Sequence, residues 1–411
     1  MALRGDRMTA SIAVFCMQGV GHLQMLLPLV EALCARGCVV RVLTRSEYRS
    51  MVEHAGARFV DLFARHSLEA ADATSVPVPC RFVSFAGAFA EQLAEEVAGF
   101  APELIVYDTF SVVAPVIARR LGLPYVNLYP NHAPVPARLL AALREDPRVA
   151  VSEQCWAAVR RLREVHGMSG ASPFSYVTEL SPFVNLYCEP REFLDAEDQA
   201  ALEPLAFLGS LAPGLRRGAR AGVFPQARRG LRVYVSFGTV IWWYFAARAY
   251  AVLDAISRAC ADRDADVVIA LGGHSLDAAA RAALARPNVE VLEFADQWTA
   301  LAEADVFVTH HGLNSTHEAI FHRVPMISHP FFGDQPALAS RCHELGIALP
   351  LVAEPGAPVT PDVVRSALDR VVAQRDAFEA RLANAHAWEL RTLAERDAVV
   401  DRVLALVGRT T

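Results

Sequence analysis

Val308-Thr309-His310-His311-Gly312-Leu313-Asn314-Ser315-Thr316-His317-Glu318 leaves the apolar run Asp305-Val306-Phe307-Val308-Thr309. The run reads as a buried parallel strand and Gly312 as a turn. From Leu313 on, the chain reads as the opening of a helix, with Asn314, Ser315 and Thr316 as N-cap candidates. A helix start leaves backbone N–H groups unpaired and carries partial positive charge, so this junction is a ready anion site. His310 at the strand end and the hydroxyls of the first turn add donors suited to phosphate oxygens. Glu318 lies one turn further in.

Elsewhere in the chain, strand-like apolar runs at 11–17, 39–44, 57–62, 104–108, 124–129, 183–188 and 205–209 alternate with helical patterns. Met25, Leu26, Leu27, Leu29, Val30 and Leu33 have the spacing of a helix packed on a sheet. The alternation stops at Leu211–Gly222, which is rich in Gly, Pro and Arg and reads as a linker. It restarts at 231–237, 266–271, 289–294, 305–309 and 325–328. The expectation is an α/β protein of two Rossmann-like domains, residues 1–212 and 230–385, joined by a linker over 213–229. They would face each other across a cleft, with ligands beyond the carboxyl ends of the strands. Residues 376–408 are amphipathic at helical spacing, which pattern alone reads equally as a surface helix of the second domain or as a helix returning to the first.

Composition narrows the function. The 411 residues suffice for two cored domains, and 53% hydrophobic with 20% charged residues is globular. A net charge of −6 without a basic block argues against nucleic acid as a partner. No run approaches a membrane span, and Ser11–Met17 leads into Gly19-Val20-Gly21-His22 without a cleavage pattern, so a cytoplasmic location is expected. The 8 cysteines form no C-x-x-C pair, and reduced thiols are the default. His317 and His322 are five apart, about 140° around a helix, whereas a zinc hydrolase motif needs four. Gly19-x-Gly21 lacks the third glycine of a dinucleotide fingerprint, since Gln24 stands there, and the second strand ends Thr44-Arg45 with no ribose-reading acid.

Four motifs then occur in one order: Gly19-Val20-Gly21-His22 with Pro28; Ser236-Phe237-Gly238-Thr239; Phe294-Ala295-Asp296-Gln297-Trp298 leading into 308–318; and His329-Pro330-Phe331-Phe332-Gly333-Asp334-Gln335. Together they resemble the family 1 glycosyltransferases, the group of plant natural-product and bacterial antibiotic glycosyltransferases. The resemblance implies the GT-B fold, with residues 386–411 as a terminal helix returning to the first domain. It implies His22 as base and Asp108, at the end of Leu104–Asp108, as its orienting partner. It implies a donor site of Ser236, Gly238, Thr239, Phe294, Gln297, His310, Gly312, Asn314, Ser315, Glu318, Asp334 and Gln335. Phe294 would stack on the nucleobase where the family usually has tryptophan, Glu318 would grip ribose hydroxyls, and Asp334-Gln335 would hold the sugar. The acceptor would lie against Phe82, Phe85, Phe89, Asn131 and His132, with Trp242-Trp243 as further candidates and His132 as a reserve base.

Each residue has a plainer reading. Asp108 could cap a helix beginning at Ser111, Glu318 could be a solvated helix acid, the three phenylalanines could be ordinary core, and Asp334 could be an N-cap. Asp296 replaces a usual proline and Leu313 a usual tryptophan. His310-His311 is similar to enzymes using deoxythymidine donors, and Asn314-Ser315-Thr316 with Glu318 to the uridine type. The function expected is inverting, metal-independent transfer of a sugar from a UDP- rather than dTDP-linked donor to a small apolar acceptor. The nucleotide sugar is then a co-substrate, no separate cofactor is required, and a homodimer is left open. A nucleotide-sugar epimerase or a catalytically inactive nucleotide-binding relative are the alternatives.

Overall fold

The structure, a computed structural model, describes residues 10–17, 19–132, 136–211, 222–228, 230–354 and 356–409. Most of the linker expected over 213–229 therefore lies outside the described residues. The chain divides into two compact units, one of residues 1–210 with 392–411 and one of residues 211–391.

The first unit is a seven-stranded sheet in the order β3-β2-β1-β4-β5-β6-β7. Its strands are β1 (Ser11–Phe15), β2 (Val39–Thr44), β3 (Arg58–Asp61), β4 (Leu104–Asp108), β5 (Tyr125–Tyr129), β6 (Val184–Tyr187) and β7 (Leu205–Phe207). Every pairing is parallel. Parallel strands covered by crossover helices need apolar side chains on both faces. Residues 104–108 and 125–129 accordingly are buried at all positions. Helices Val20–Ala35 and Pro79–Ala98 supply part of the cover.

The second unit repeats the scheme with six strands ordered β10-β9-β8-β11-β12-β13. These are β8 (Leu231–Ser236), β9 (Ala265–Ala270), β10 (Val289–Leu292), β11 (Val306–Thr309), β12 (Met326–Ser328) and β13 (Ala348–Pro350), again all parallel. In both sheets the order reverses beside the first strand, between β1 and β4 and between β8 and β11. At such a switch point the loops on either side run in opposite directions and leave a crevice beyond the strand ends.

The thirty-residue helix Arg375–Leu404 spans the division at Arg391. Its first part is tied into the second unit by a buried His317 Nδ1–Glu389 Oε1 contact of 2.5 Å and by His386 Nδ1 on the Phe321 carbonyl at 2.7 Å. Its last part belongs with the first unit, where Arg396 Nε donates to the Leu208 carbonyl at 3.0 Å and Arg402 Nη1 to that of Leu205 at 2.7 Å. Among the described residues, no helix is long and apolar enough to cross a membrane.

Candidate active site

The switch point of the first sheet brings His22 and Asp108 together. β1 ends at Phe15, and His22 sits in the first turn of the next helix, whose N-cap is Gly19. Asp108 closes β4 on the neighbouring strand. His22 Nδ1 lies 2.9 Å from Asp108 Oδ2, with the carboxylate fully buried and the imidazole 14% exposed. Asp108 Oδ1 accepts from the Met17 N–H at 3.4 Å and from the Ser111 hydroxyl. The carboxylate is thus surrounded by donors on both oxygens, and the imidazole ring is held flat against Phe110 at 4.8 Å between centroids. Gly21 faces open space where a Cβ would be, so a ligand can reach the backbone there. The capping alternative for Asp108 does not hold: helix Val113–Leu121 has Val112 at its N-cap position without a side-chain cap, and Asp108 spends its side chain on His22 and Ser111.

The expected acceptor residues separate. Phe82 and Phe85 are buried in the core of the first unit, as the plainer reading had it, and Phe85 packs on Phe89 and Phe63. Phe89 is half-buried and stacks on His66 at 4.4 Å. Phe82 meets Phe110, the ring that backs His22, at 6.1 Å between centroids. Phe110 itself had no signal beyond its place two residues after Asp108. Asn131 is half-buried, and His132 is buried with Nδ1 2.7 Å from the fully buried Glu189, which also accepts from the Tyr187 hydroxyl at 2.6 Å.

In the second sheet the switch point gathers Ser236, which ends β8, and Gly238 and Thr239 after it with His310 and Gly312 after β11. His310 is the centre of this group. A Cβ on Gly238 would lie 2.9 Å from its Nε2, and one on Gly312 would lie 2.5 Å from it, so the ring is clamped by two residues that have no side chain. Gly238 also needs its positive φ of 72°. A Cβ on Gly272, in the loop after β9, would strike the Gly238 carbonyl at 2.3 Å, so the next loop closes on the same turn. Burial pushes the His310 imidazole down to about 4, which leaves it uncharged near neutral pH. Its Nδ1 is buried without a hydrogen-bond partner among the described residues.

Helix Leu313–Phe321 begins here, but its N-cap is Gly312, with extended backbone and no side-chain cap. The expectation that Asn314, Ser315 or Thr316 caps it is corrected: all three lie inside the first turn. Thr316 Oγ1 meets His311 Nδ1 at 3.1 Å. Ser315 Oγ accepts from Gln297 Nε2 at 3.1 Å and donates to Gln297 Oε1 at 3.4 Å. The same amide nitrogen donates to Glu318 Oε2 at 2.9 Å. Glu318 is buried, not a solvated helix acid, and Gln297 aims its carboxylate.

Phe294, after β10, is 70% exposed. Asp334 stands at the N-cap position of helix Gln335–Glu344 without a side-chain cap bond. Gln335 Oε1 accepts from the Phe331 and Phe332 N–H groups at 2.9 and 3.3 Å, so its carbonyl shapes the loop and its amide nitrogen is the end that can serve a ligand.

Residues 205–381 match the family model of UDP-glucoronosyl and UDP-glucosyl transferases. A zeaxanthin glucosyltransferase of Pantoea ananas is 26% identical over 59% of this chain and 59% of its own length. An oleandomycin glycosyltransferase of Streptomyces antibioticus is 26% identical over 87% of this chain and 82% of its own. The solved glycotransferase of kitacinnamycin, 24% identical, superposes with a TM-score of 0.75 over 97% of this chain and 100% of that one. Residues 205–381 thus match the UDP-glucoronosyl and UDP-glucosyl transferase family, and nearly the whole chain has the fold of the solved glycotransferase.

Proposed function

We propose that the protein transfers a sugar from a nucleoside diphosphate sugar to a nucleophile, foremost a hydroxyl, on a small apolar acceptor, with inversion and without a metal. The observation that carries this reading is the His22 Nδ1–Asp108 Oδ2 bond at the switch point of the first sheet. With the Nδ1 proton engaged by Asp108, Nε2 presents its lone pair and acts as base. The acceptor oxygen loses its proton to Nε2 and attacks the anomeric carbon from the side opposite the nucleotide. The bond from that carbon to the phosphate oxygen breaks, and its electron pair leaves with the diphosphate. Asp108 then faces an imidazolium and stabilises it.

The leaving diphosphate needs charge stabilisation, not protonation. The backbone N–H groups opening helix Leu313–Phe321, the His310 ring, the Ser315 hydroxyl and the Ser236–Thr239 loop are the donors assigned to it. Phe294 offers a face to the base, and Glu318, aimed by Gln297, suits two ribose hydroxyls, which favours UDP over a deoxyribose donor. Asp334 and the Gln335 amide are assigned to the sugar. The relatives named for zeaxanthin and oleandomycin support an apolar natural-product acceptor.

Turnover on an unactivated alcohol tests the base. His22→Ala should lower kcat by about 10²–10⁴ while calorimetric UDP affinity stays within about twofold, and Asp108→Asn should cost less because a base remains. An acidic phenol should be partly rescued in His22→Ala at high pH. Near-normal turnover of the alcohol by His22→Ala would remove His22 from the reaction.

A further inference from the structure

Three aromatic side chains of the second unit stand open at the C-terminal edge of its sheet: Phe294 at 70%, Trp243 at 71% and Tyr244 at 58% exposure. Phe294 has its place at the nucleobase. Trp243 and Tyr244 have none in the proposed reaction, and two adjacent large aromatics left in water mark a contact surface more often than chance. They lie on the short helix Ile241–Tyr244, directly after the Ser236–Thr239 loop.

Their neighbours anchor that helix. Trp242 is buried, and its indole stacks on His274 at 4.6 Å and 8°. On the other side Phe245 stacks on Phe332 at 5.5 Å and 22°, and Tyr244 meets the same ring edge-on at 6.5 Å. Phe332 precedes Asp334 by two residues, and its N–H is held by Gln335. The exposed rings are therefore presented by a fixed backbone and are continuous with the loop assigned to the sugar.

We propose that Trp243 and Tyr244, backed by Phe332, bind the flat apolar part of the acceptor, so that the unit holding the nucleotide sugar also selects what the sugar is transferred to. This rests on the glycosyl-transfer reading. The chemistry leaves one occupant. The nucleobase has Phe294, on the loop after β10, with β9 lying between that strand and β8. The diphosphate seeks donors and the sugar hydroxyls seek Asp334 and the Gln335 amide. What remains apolar, and has to lie beside the anomeric carbon, is the acceptor. Tryptophan and tyrosine offer it wide faces at small entropic cost, since each has two side-chain torsions.

Trp243→Ala and Tyr244→Ala in the full chain test this with quercetin, a planar polyphenol, and 4-nitrophenol, which is too small to cover both rings. The expected result is a rise in quercetin KM of about 10-fold, a rise of less than about 3-fold for 4-nitrophenol, and a UDP Kd within about twofold of the wild type. Unchanged quercetin KM overturns the proposal. An equal loss of UDP affinity also overturns it and gives the surface to the donor. So does a wild-type dimer that Trp243→Ala converts to monomer while quercetin KM stays fixed. If the wild type transfers sugar to no acceptor, the glycosyl-transfer reading fails by itself. Quercetin calorimetry without donor then still decides the surface, because equal affinity in wild type and Trp243→Ala refutes it.

Discussion

Replacing Gly312 by alanine should cost donor affinity through a residue that the new methyl only pushes. Gly312 has φ −63° and ψ 139°, ordinary for any L-residue, so alanine adds no backbone strain. The methyl would stand 2.5 Å from His310 Nε2, about 0.9 Å short of ordinary contact. The ring has little room to swing aside, because it is buried and the Gly238 backbone lies so near that even a Cβ there would stand 2.9 Å from Nε2. Overpacking of this kind costs about 1–3 kcal/mol of stability. If His310 gives its N–H to a phosphate oxygen, displacing it should also forfeit about 1.5–3 kcal/mol of binding, the worth of a hydrogen bond to a charged group, or roughly 10–150-fold in Kd. Calorimetry with UDP and dTDP reads the affinity, and thermal denaturation reads the stability. His310→Ala should lose the affinity without the overpacking, and in that background Gly312→Ala should cost under about 0.5 kcal/mol more. Wild-type affinity and midpoint in Gly312→Ala, or full additivity with His310→Ala, would refute the clamp.

Three further outcomes are expected. Glu318→Ala should weaken UDP more than dTDP and shrink the ratio between them, because dTDP lacks one of the two hydroxyls; equal losses would take Glu318 off the ribose. Burial holds His310 and His329 at about 4, below their ordinary 6.5. The unfolded chain therefore binds more protons between those values, so the stability they contribute is intact above about 6.5 and is lost as pH falls towards 4. This is on the order of 2 kcal/mol each at pH 5, and His310→Asn should narrow the gap in thermal midpoint between pH 7.5 and pH 5, an unchanged gap excluding it. An α-linked donor should yield a β-linked product with turnover undiminished in EDTA, read by NMR of the anomeric proton; activity lost to chelator and restored by manganese would oppose the scheme.

The strand pattern was legible because each buried parallel strand is a continuous apolar run, and twelve of the runs read from sequence coincide with strands to within a few residues. β13 escaped, since Ala348–Pro350 is too short to make a run. Ligand motifs at strand ends were legible because a glycine turn, a helix start and their polar residues are neighbours in sequence. The local choice of cap was misread: asparagine, serine and threonine look like caps when nothing shows that Ser315 is committed to Gln297 and Thr316 to His311. Pairings between distant segments left no local trace. Glu189 under His132, Glu389 under His317 and His274 under Trp242 join residues that no periodicity relates. The phenylalanine row 82, 85, 89 carried two meanings, core and acceptor wall, and burial decides for core at the first two.

The division of the chain also orders its synthesis. Residues 211–391 form a unit whose strands and covering helices have all been made once Arg391 has left the ribosome. The first unit begins earlier and finishes later, because Arg396 and Arg402, which bind the carbonyls of Leu208 and Leu205 beside its edge strand, come from the segment after residue 391. Through the intervening 181 residues, roughly 10–40 s at elongation rates of about 5–20 residues per second, β7 waits with those carbonyls unserved. The unit that starts the chain is the last to be sealed, and that interval is when a chaperone or an aggregating neighbour would meet it.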